Sequence, residues 1–204
     1  ELTDVKMEFF RLSALAAKGD SKSQTSLAHK YALGKGVKKD MNEAVRWYRV
    51  AGNQGEPEAQ FNLGYMYYNG EGLPRDFVKA VEWFRKSAAQ GNAGAQGSLG
   101  LMYDNGEGIP EDDTKALEWY LMSARGGHIE SPNYIGILYD NGDGTPEDDI
   151  AAYAWWLIGI KRGDEAPRNN LDFLAGKLTA EQLAKAKGLS AKLEAEMADH
   201  KNNP

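Results

Sequence analysis

A 36-residue period runs through this chain and limits what it can become. Gly19, Gly55, Gly91, Gly127 and Gly163 fall at that interval, as do Tyr31, Tyr67, Tyr103 and Tyr139. Glycine pairs follow each tyrosine, at Gly34/Gly36, Gly70/Gly72, Gly106/Gly108 and Gly142/Gly144. Then come Asp40, Asp76, Asp112 and Asp148, next Ala44, Ala80, Ala116 and Ala152, and last Trp47, Trp83, Trp119 and Trp155, each with an aromatic neighbour. A repeat of this length is one supersecondary unit that cannot bury its apolar face alone, so successive units must stack.

Each unit reads as two helices. The stretch "PEAQFNLGYMYYN" puts Ala59, Leu63 and Tyr67 at helical spacing with Gly64 beside Leu63, which defines helix A. Asn69-Gly70 is a stop signal, since glycine enters the left-handed conformation without strain. Asp76 stands where the N-cap of a second helix belongs, and "FVKAVEWFRKSAAQG" supplies that helix B with Ala80, Trp83, Phe84, Ser87 and Ala88 on its apolar face. One tryptophan per unit on this face is expected to be core.

The expected fold is all-α, a right-handed α/α superhelical solenoid of 36-residue helix-turn-helix repeats closed by terminal capping helices. Residues 1–19 form an N-terminal half-repeat helix, in which Phe9 to Gly19 matches a lone helix B. Four repeats follow at 20–55, 56–91, 92–127 and 128–163. Residues 164–204 hold a fifth helix A, with Leu171 at the position of Leu63, then a long capping helix opened by Thr179 with Glu181 and Gln182 in its first turn, and a polar tail. Two positions break the pattern. Ala28 replaces the glycine at Gly64, Gly100 and Gly136, which implies looser packing in repeat one. Pro132 replaces Gln24, Gln60 and Gln96, so helix A of repeat four should start there with Ser131 as its cap and be about one turn short.

These features closely resemble the Sel1-like repeat, a relative of the tetratricopeptide repeat, over four full copies and most of the chain. The resemblance implies an adaptor or regulatory scaffold, without catalytic activity as a rule and often exported in bacteria. A periplasmic or secreted location is therefore the expectation, with the cytoplasm as the alternative; the first residue is Glu1 rather than methionine.

Composition and motifs agree with a scaffold. No apolar run approaches the roughly 20 residues that span a bilayer. The absence of cysteine removes disulfides, zinc-thiolate sites and thiol nucleophiles together. The acidic loops "DNGEGIPEDD" and "DNGDGTPEDD" do not match a calcium-loop register, and the equivalent "ALGKGVKKD" keeps the glycines and the aspartate without other acids. His29, His128 and His200 share no metal spacing, and His128 and His200 read as surface residues. No Ser-His-Asp set, phosphate loop or carboxylate pair can be assembled, so no cofactor, metal or catalytic residue is expected. Residues 1–54 carry ten Lys/Arg against six Asp/Glu, and the rest fourteen against twenty-four. That balance argues against nucleic acid, which needs clustered positive charge. The N-terminal cluster Lys30, Lys35, Lys38, Lys39, Arg46 and Arg49 is either a solvated face or a surface for an anionic partner.

A partner face follows from subtracting the inward positions of helix A. By the likeness to tetratricopeptide arrays, a protein or peptide is expected on the concave face, and the protein itself as a monomer. At the position of Tyr65 the units carry His29, Tyr65, Leu101, Ile137 and Phe173; Phe61 and Tyr68 broaden this stripe, Asn133 and Asn169 add amides, and Asp104 and Asp140 add negative charge. The same column also fits semi-buried packing between neighbouring helices. A second functional reading is a cell-envelope component that binds an anionic polymer or glycan through charged surfaces.

Overall fold

The computed structural model describes the backbone of residues 2–202 and the side chains of residues 4–199. Glu1 and the side chain of His200 lie outside the described residues. Eleven helices and no strand occur among the described residues: α1 (Leu2–Ala17), α2 (Ser21–Leu33), α3 (Met41–Asn53), α4 (Pro57–Asn69), α5 (Phe77–Ala88), α6 (Ala93–Asn105), α7 (Asp113–Arg125), α8 (Ser131–Asn141), α9 (Asp149–Lys161), α10 (Arg168–Lys177) and α11 (Ala180–Asn202). Two compact units divide them. The first comprises Glu1–Ala95 with Glu107–Ile109, the second Gln96–Gly106 with Pro110–Pro204.

In both units the capping aspartates do what their spacing predicts. Asp40 accepts from the Asn42 and Glu43 amides at 3.0 and 3.1 Å, Asp76 from Lys79 N at 3.0 Å, Asp112 from Lys115 N at 3.0 Å, and Asp148 from Ile150 and Ala151 at 2.9 Å. Their own amides close the loop by donating back to the tyrosine carbonyls, Asp76 to Tyr67 and Asp148 to Tyr139, both at 2.9 Å. The second glycine of each loop has a further task. A Cβ on Gly72 would meet the Met41 carbonyl oxygen at 3.0 Å, and one on Gly144 would meet the Asp113 carbonyl carbon at 2.4 Å. The loop therefore lies on the first turn of the preceding helix B, where only a residue without a side chain fits.

The aromatic beside the tryptophan is the deeper core residue, which corrects the expectation for the tryptophan column. Tyr48, Phe84, Tyr120 and Trp156 are 0–2% exposed, whereas Trp47, Trp83 and Trp119 are half-buried and only Trp155 is fully enclosed. Arg46 lies over Trp47 at 4.5 Å and Lys86 over Trp83 at 4.1 Å, contacts made at the solvent edge. The buried ring explains the helix-A glycine. A Cβ on Gly64 would stand 2.5 Å from Phe84, on Gly100 2.6 Å from Tyr120, and on Gly136 2.3 Å from the Trp156 indole. In repeat one Ala28 occupies that place fully buried, in one cluster with Tyr48.

A glutamine ladder joins consecutive hairpins in the first unit. Gln54 donates to Gln24 at 2.7 Å, and Gln24 donates to the Ala16 carbonyl at 3.1 Å; Gln90, Gln60 and the Gly52 carbonyl repeat the chain at 2.8 and 2.9 Å. In the second unit Pro132 removes the middle rung. The corresponding Ala124 carbonyl is instead taken directly by Arg162 at 2.9 Å.

Around Pro132 two expectations need correction. Ser131 is the first residue of α8, not its cap; its hydroxyl donates to Ser123 at 2.7 Å and meets His128 Nδ1 at 3.0 Å. His128 is accordingly half-buried rather than a surface residue. The helix has eleven residues against thirteen in α2, α4 and α6, about half a turn less rather than a full turn.

The C-terminal part closes the second unit. Leu171 and Leu174 of α10 join Tyr153 and Trp156 in one cluster. Thr179 and Gln182 form a reciprocal capping box at 2.9 and 3.2 Å, and α11 then packs along α9, with Leu193 and Met197 against Trp155 and Ile158. Helix α1 runs from Leu2 to Ala17 and so includes residues ahead of the stretch from Phe9 that matches helix B.

Candidate partner-binding face

The predicted stripe is distributed over both units, and each part is built differently. In the first unit His29 is exposed, with Nδ1 3.5 Å from the Tyr48 hydroxyl. Tyr65 is 48% exposed on α4, a large ring with nothing of its own unit over half of it. Phe61 and Tyr68, which the sequence assigned to the same surface, are half-buried and spent on packing. Phe61 lies 5.9 Å from the Phe84 ring and against Gly94, and Tyr68 lies 5.3 Å from Phe77.

In the second unit Leu101 and Ile137 are half-buried, and Ile137 packs against the Trp156 and Leu171 cluster. Phe173 on α10 is 71% exposed. The main-chain carbonyl of Asn133 accepts from the Trp156 indole at 3.2 Å, while its side-chain oxygen is enclosed without a hydrogen bond. Asn169 is exposed. Within the column Leu101 and Ile137 are half-buried, while His29, Tyr65 and Phe173 are exposed.

Electrostatics distinguish the second unit. Burial pushes the Asp104 carboxyl above the ordinary aspartate range; the Tyr120 hydroxyl, donating at 3.3 Å, opposes the shift, and Asp113, Asp143 and Glu111 add to it. Asp140 is raised in the same direction, by burial first and then by Asp149, with Lys177 acting against it. Lys177 itself pairs with Asp149 at 2.9 Å. A cation beside either carboxyl would lower its pKa toward the ordinary range.

The basic N-terminal cluster is smaller than its sequence suggests. Lys30 is buried and bonded to Glu8 at 2.8 Å, Arg46 pairs with Glu43 at 2.7 Å, and Arg49 donates to the Tyr67 hydroxyl at 3.1 Å. Arg46 and Arg49 stay exposed despite these partners, as do Lys35, Lys38 and Lys39. Among the described residues no group of three or more His, Cys, Asp or Glu is placed to hold a metal ion, and no helix is long and apolar enough to cross a membrane.

Four consecutive matches to the Sel1 repeat cover residues 21–56, 57–92, 93–128 and 133–164. The chain belongs to the Sel1 repeat family. Its fold is the all-α helix-turn-helix repeat solenoid of that family. A Sel1 repeat protein from Oxalobacter formigenes is 30% identical, with a TM-score of 0.82 over 93% of this chain and 78% of the other. The c5321 protective antigen of uropathogenic Escherichia coli, which displays an SLR fold, is 28% identical with a TM-score of 0.72, over 90% of this chain and 48% of that one. The chain therefore spans about half the length of the antigen. The immunity protein Pa5087 of Pseudomonas aeruginosa is 20% identical with a TM-score of 0.56, over 93% and 73% of the two chains, a likeness of fold alone. No curated protein matches the chain significantly. Sel1 repeats generally mediate protein–protein interactions and are generally non-catalytic.

Proposed function

We propose that this Sel1 repeat protein is a non-enzymatic scaffold that binds a protein or peptide on the exposed positions of its helix-A column. The observation that carries the reading is the exposure of Tyr65 and Phe173, 48% and 71%, on α4 and α10, whose Leu63, Leu171 and Leu174 are buried. Large aromatics that stay outside the core at a periodic position are the residues most often used as binding anchors. Beside the second-unit part, Asp104 and Asp140 select for positive charge, so the ligand is a segment with apolar anchors and Lys or Arg nearby. The envelope-polymer reading has less surface to draw on, because three of its six basic residues are engaged within the fold.

A photo-crosslinking residue placed at Tyr65 or Phe173 tests the proposal in the organism that makes the protein. A crosslinked protein band is expected from these positions and not from Glu82 or Glu118, which are exposed on the B helices. Crosslinks confined to the B-helix positions, or binding to anionic polymer alone that vanishes at high salt, would replace it.

A further inference from the structure

Helix α11 lies along α9 but touches α7 only slightly, and between α7 and α11 a cleft of about 440 Å³ stays open. That volume is in the range of small-molecule sites. Its apolar surface comes from Leu121 on α7, Trp155 on α9, and Leu193 and Met197 on α11. Met197 is held in place by the Arg162 guanidinium, which donates to its sulfur at 3.2 Å.

Trp155 brings a polar group to this surface. It is 4% exposed, and the indole N–H of a tryptophan so deeply buried normally has an acceptor. The Trp156 N–H has one in the Asn133 carbonyl at 3.2 Å, whereas that of Trp155 has none among the described residues.

The rim carries both signs of charge. Arg125 is the last residue of α7, and Glu196 and Asp199 stand on α11; all three are exposed. Among the described residues the side chains of Arg125 and Asp199 have no hydrogen bond or ion pair, and Glu196 has only a loose contact with Lys192 at 3.8 Å. One repeat later the same column closes on itself: Lys161, at the Arg125 position, pairs with Glu194 of α11 at 2.7 Å. In the earlier repeats the Arg125 position holds Asn53 and Ala89, and the Leu121 position holds Arg49 and Arg85. The repeat itself therefore demands neither the arginine nor the leucine that line this cleft.

We infer that the cleft between α7 and α11 is a binding site for a free α-amino acid with a large apolar side chain. Arg125 and the Trp155 indole N–H take the carboxylate, and Glu196 and Asp199 take the ammonium, opposite charges that line one cleft without meeting each other. The side chain of the ligand lies against Leu121, Leu193 and Met197. A ligand of one sign alone matches only half of the rim, because an anion would face Glu196 and Asp199 and a cation would face Arg125. The site is separate from the helix-A face and does not depend on the reading given to that face.

The cleft is open on one side and its charges are hydrated, so binding is modest, with a dissociation constant on the order of 1 mM. Titration of the full chain with L-phenylalanine up to about 20 mM should move the Trp155 indole N–H resonance saturably. N-acetyl-L-phenylalanine, which lacks the ammonium, and L-phenylalanine amide, which lacks the carboxylate, should each bind at least about fivefold more weakly. Arg125→Gln, at an exposed site that leaves the unfolding midpoint in place, should weaken L-phenylalanine to the level of the amide and leave the amide itself unaffected. Glu196→Gln with Asp199→Asn should do the same with respect to the N-acetyl compound. No movement of the Trp155 resonance across that range, or binding indifferent to either blocked end or to Arg125→Gln, overturns the inference.

Discussion

The Arg162 guanidinium donates to the Ala124 carbonyl at 2.9 Å, across 38 residues of sequence. In the first unit the equivalent carbonyls of Ala16 and Gly52 are served by Gln24 and Gln60, each held by a second glutamine. Arg162 does alone what two residues do elsewhere, and its pKa is lowered because the group is partly buried. Arg162→Ala removes the charged donor and leaves that carbonyl to the Gly127 amide alone, at 3.1 Å, and should cost about 1.5–3 kcal/mol. Pro132→Gln combined with Arg162→Gln should recover more than half of the loss by rebuilding the ladder. Denaturant midpoints decide it; an unaltered midpoint in Arg162→Ala would show the bond to be dispensable.

Phe84→Ala should destabilise far more than Trp83→Ala. Phe84 is 1% exposed and fills the space over Gly64, whereas Trp83 keeps a solvent edge. Truncating a fully buried aromatic costs roughly 3–5 kcal/mol, with part of that sum lost only where the site is closed to water. Equal midpoints for the two variants would return the tryptophan column to the centre of the core.

Asp76→Ala should cost about 1 kcal/mol through the lost N-cap, while Glu111→Ala, on the exposed part of an equivalent loop, should stay within about 0.5 kcal/mol. Thermal unfolding of the two single variants compares them directly. A loop acid as costly as the cap would mean that the acidic loop does more than start a helix.

Asp104 predicts a pH effect with a definite sign. Its folded-state pKa is raised above the ordinary value of 3.8, chiefly by burial. The native chain therefore holds this proton more tightly than the unfolded chain, and the contribution is fully present below 3.8 and lost as pH rises through the folded value. Asp104→Asn should accordingly raise the unfolding temperature at pH 7, with the advantage shrinking to nothing below pH 3.8. The amide oxygen still accepts from Tyr120. A variant less stable than its parent at neutral pH would contradict this assignment.

The period made most of the fold legible, because each column it aligns answers to a local rule: aspartate caps a helix, glycine ends one, and apolar residues three and four apart face inward. What it left unread depends on contacts between hairpins. Trp47 and Tyr48 are adjacent and both aromatic, and only the packing of Tyr48 against Ala28 separates core from rim. Gly72 looks like a turn residue, yet its second reason is the Met41 carbonyl of the preceding helix. The Gln24 and Gln54 columns were visible as repeats, but their partner is a main-chain carbonyl, which no side-chain pattern announces. At the candidate site the period aligns the column as a register; its division into half-buried members such as Ile137 and exposed ones such as Tyr65 depends on the neighbours.

The central claim is that the exposed helix-A aromatics bind a partner without holding up the fold, and paired affinity and stability measurements test it most directly. With the crosslinked partner in hand, Tyr65→Ala with Phe173→Ala should weaken binding more than tenfold while the unfolding midpoint stays within the small range of surface changes. Unchanged affinity, or affinity lost only together with stability, would contradict the account.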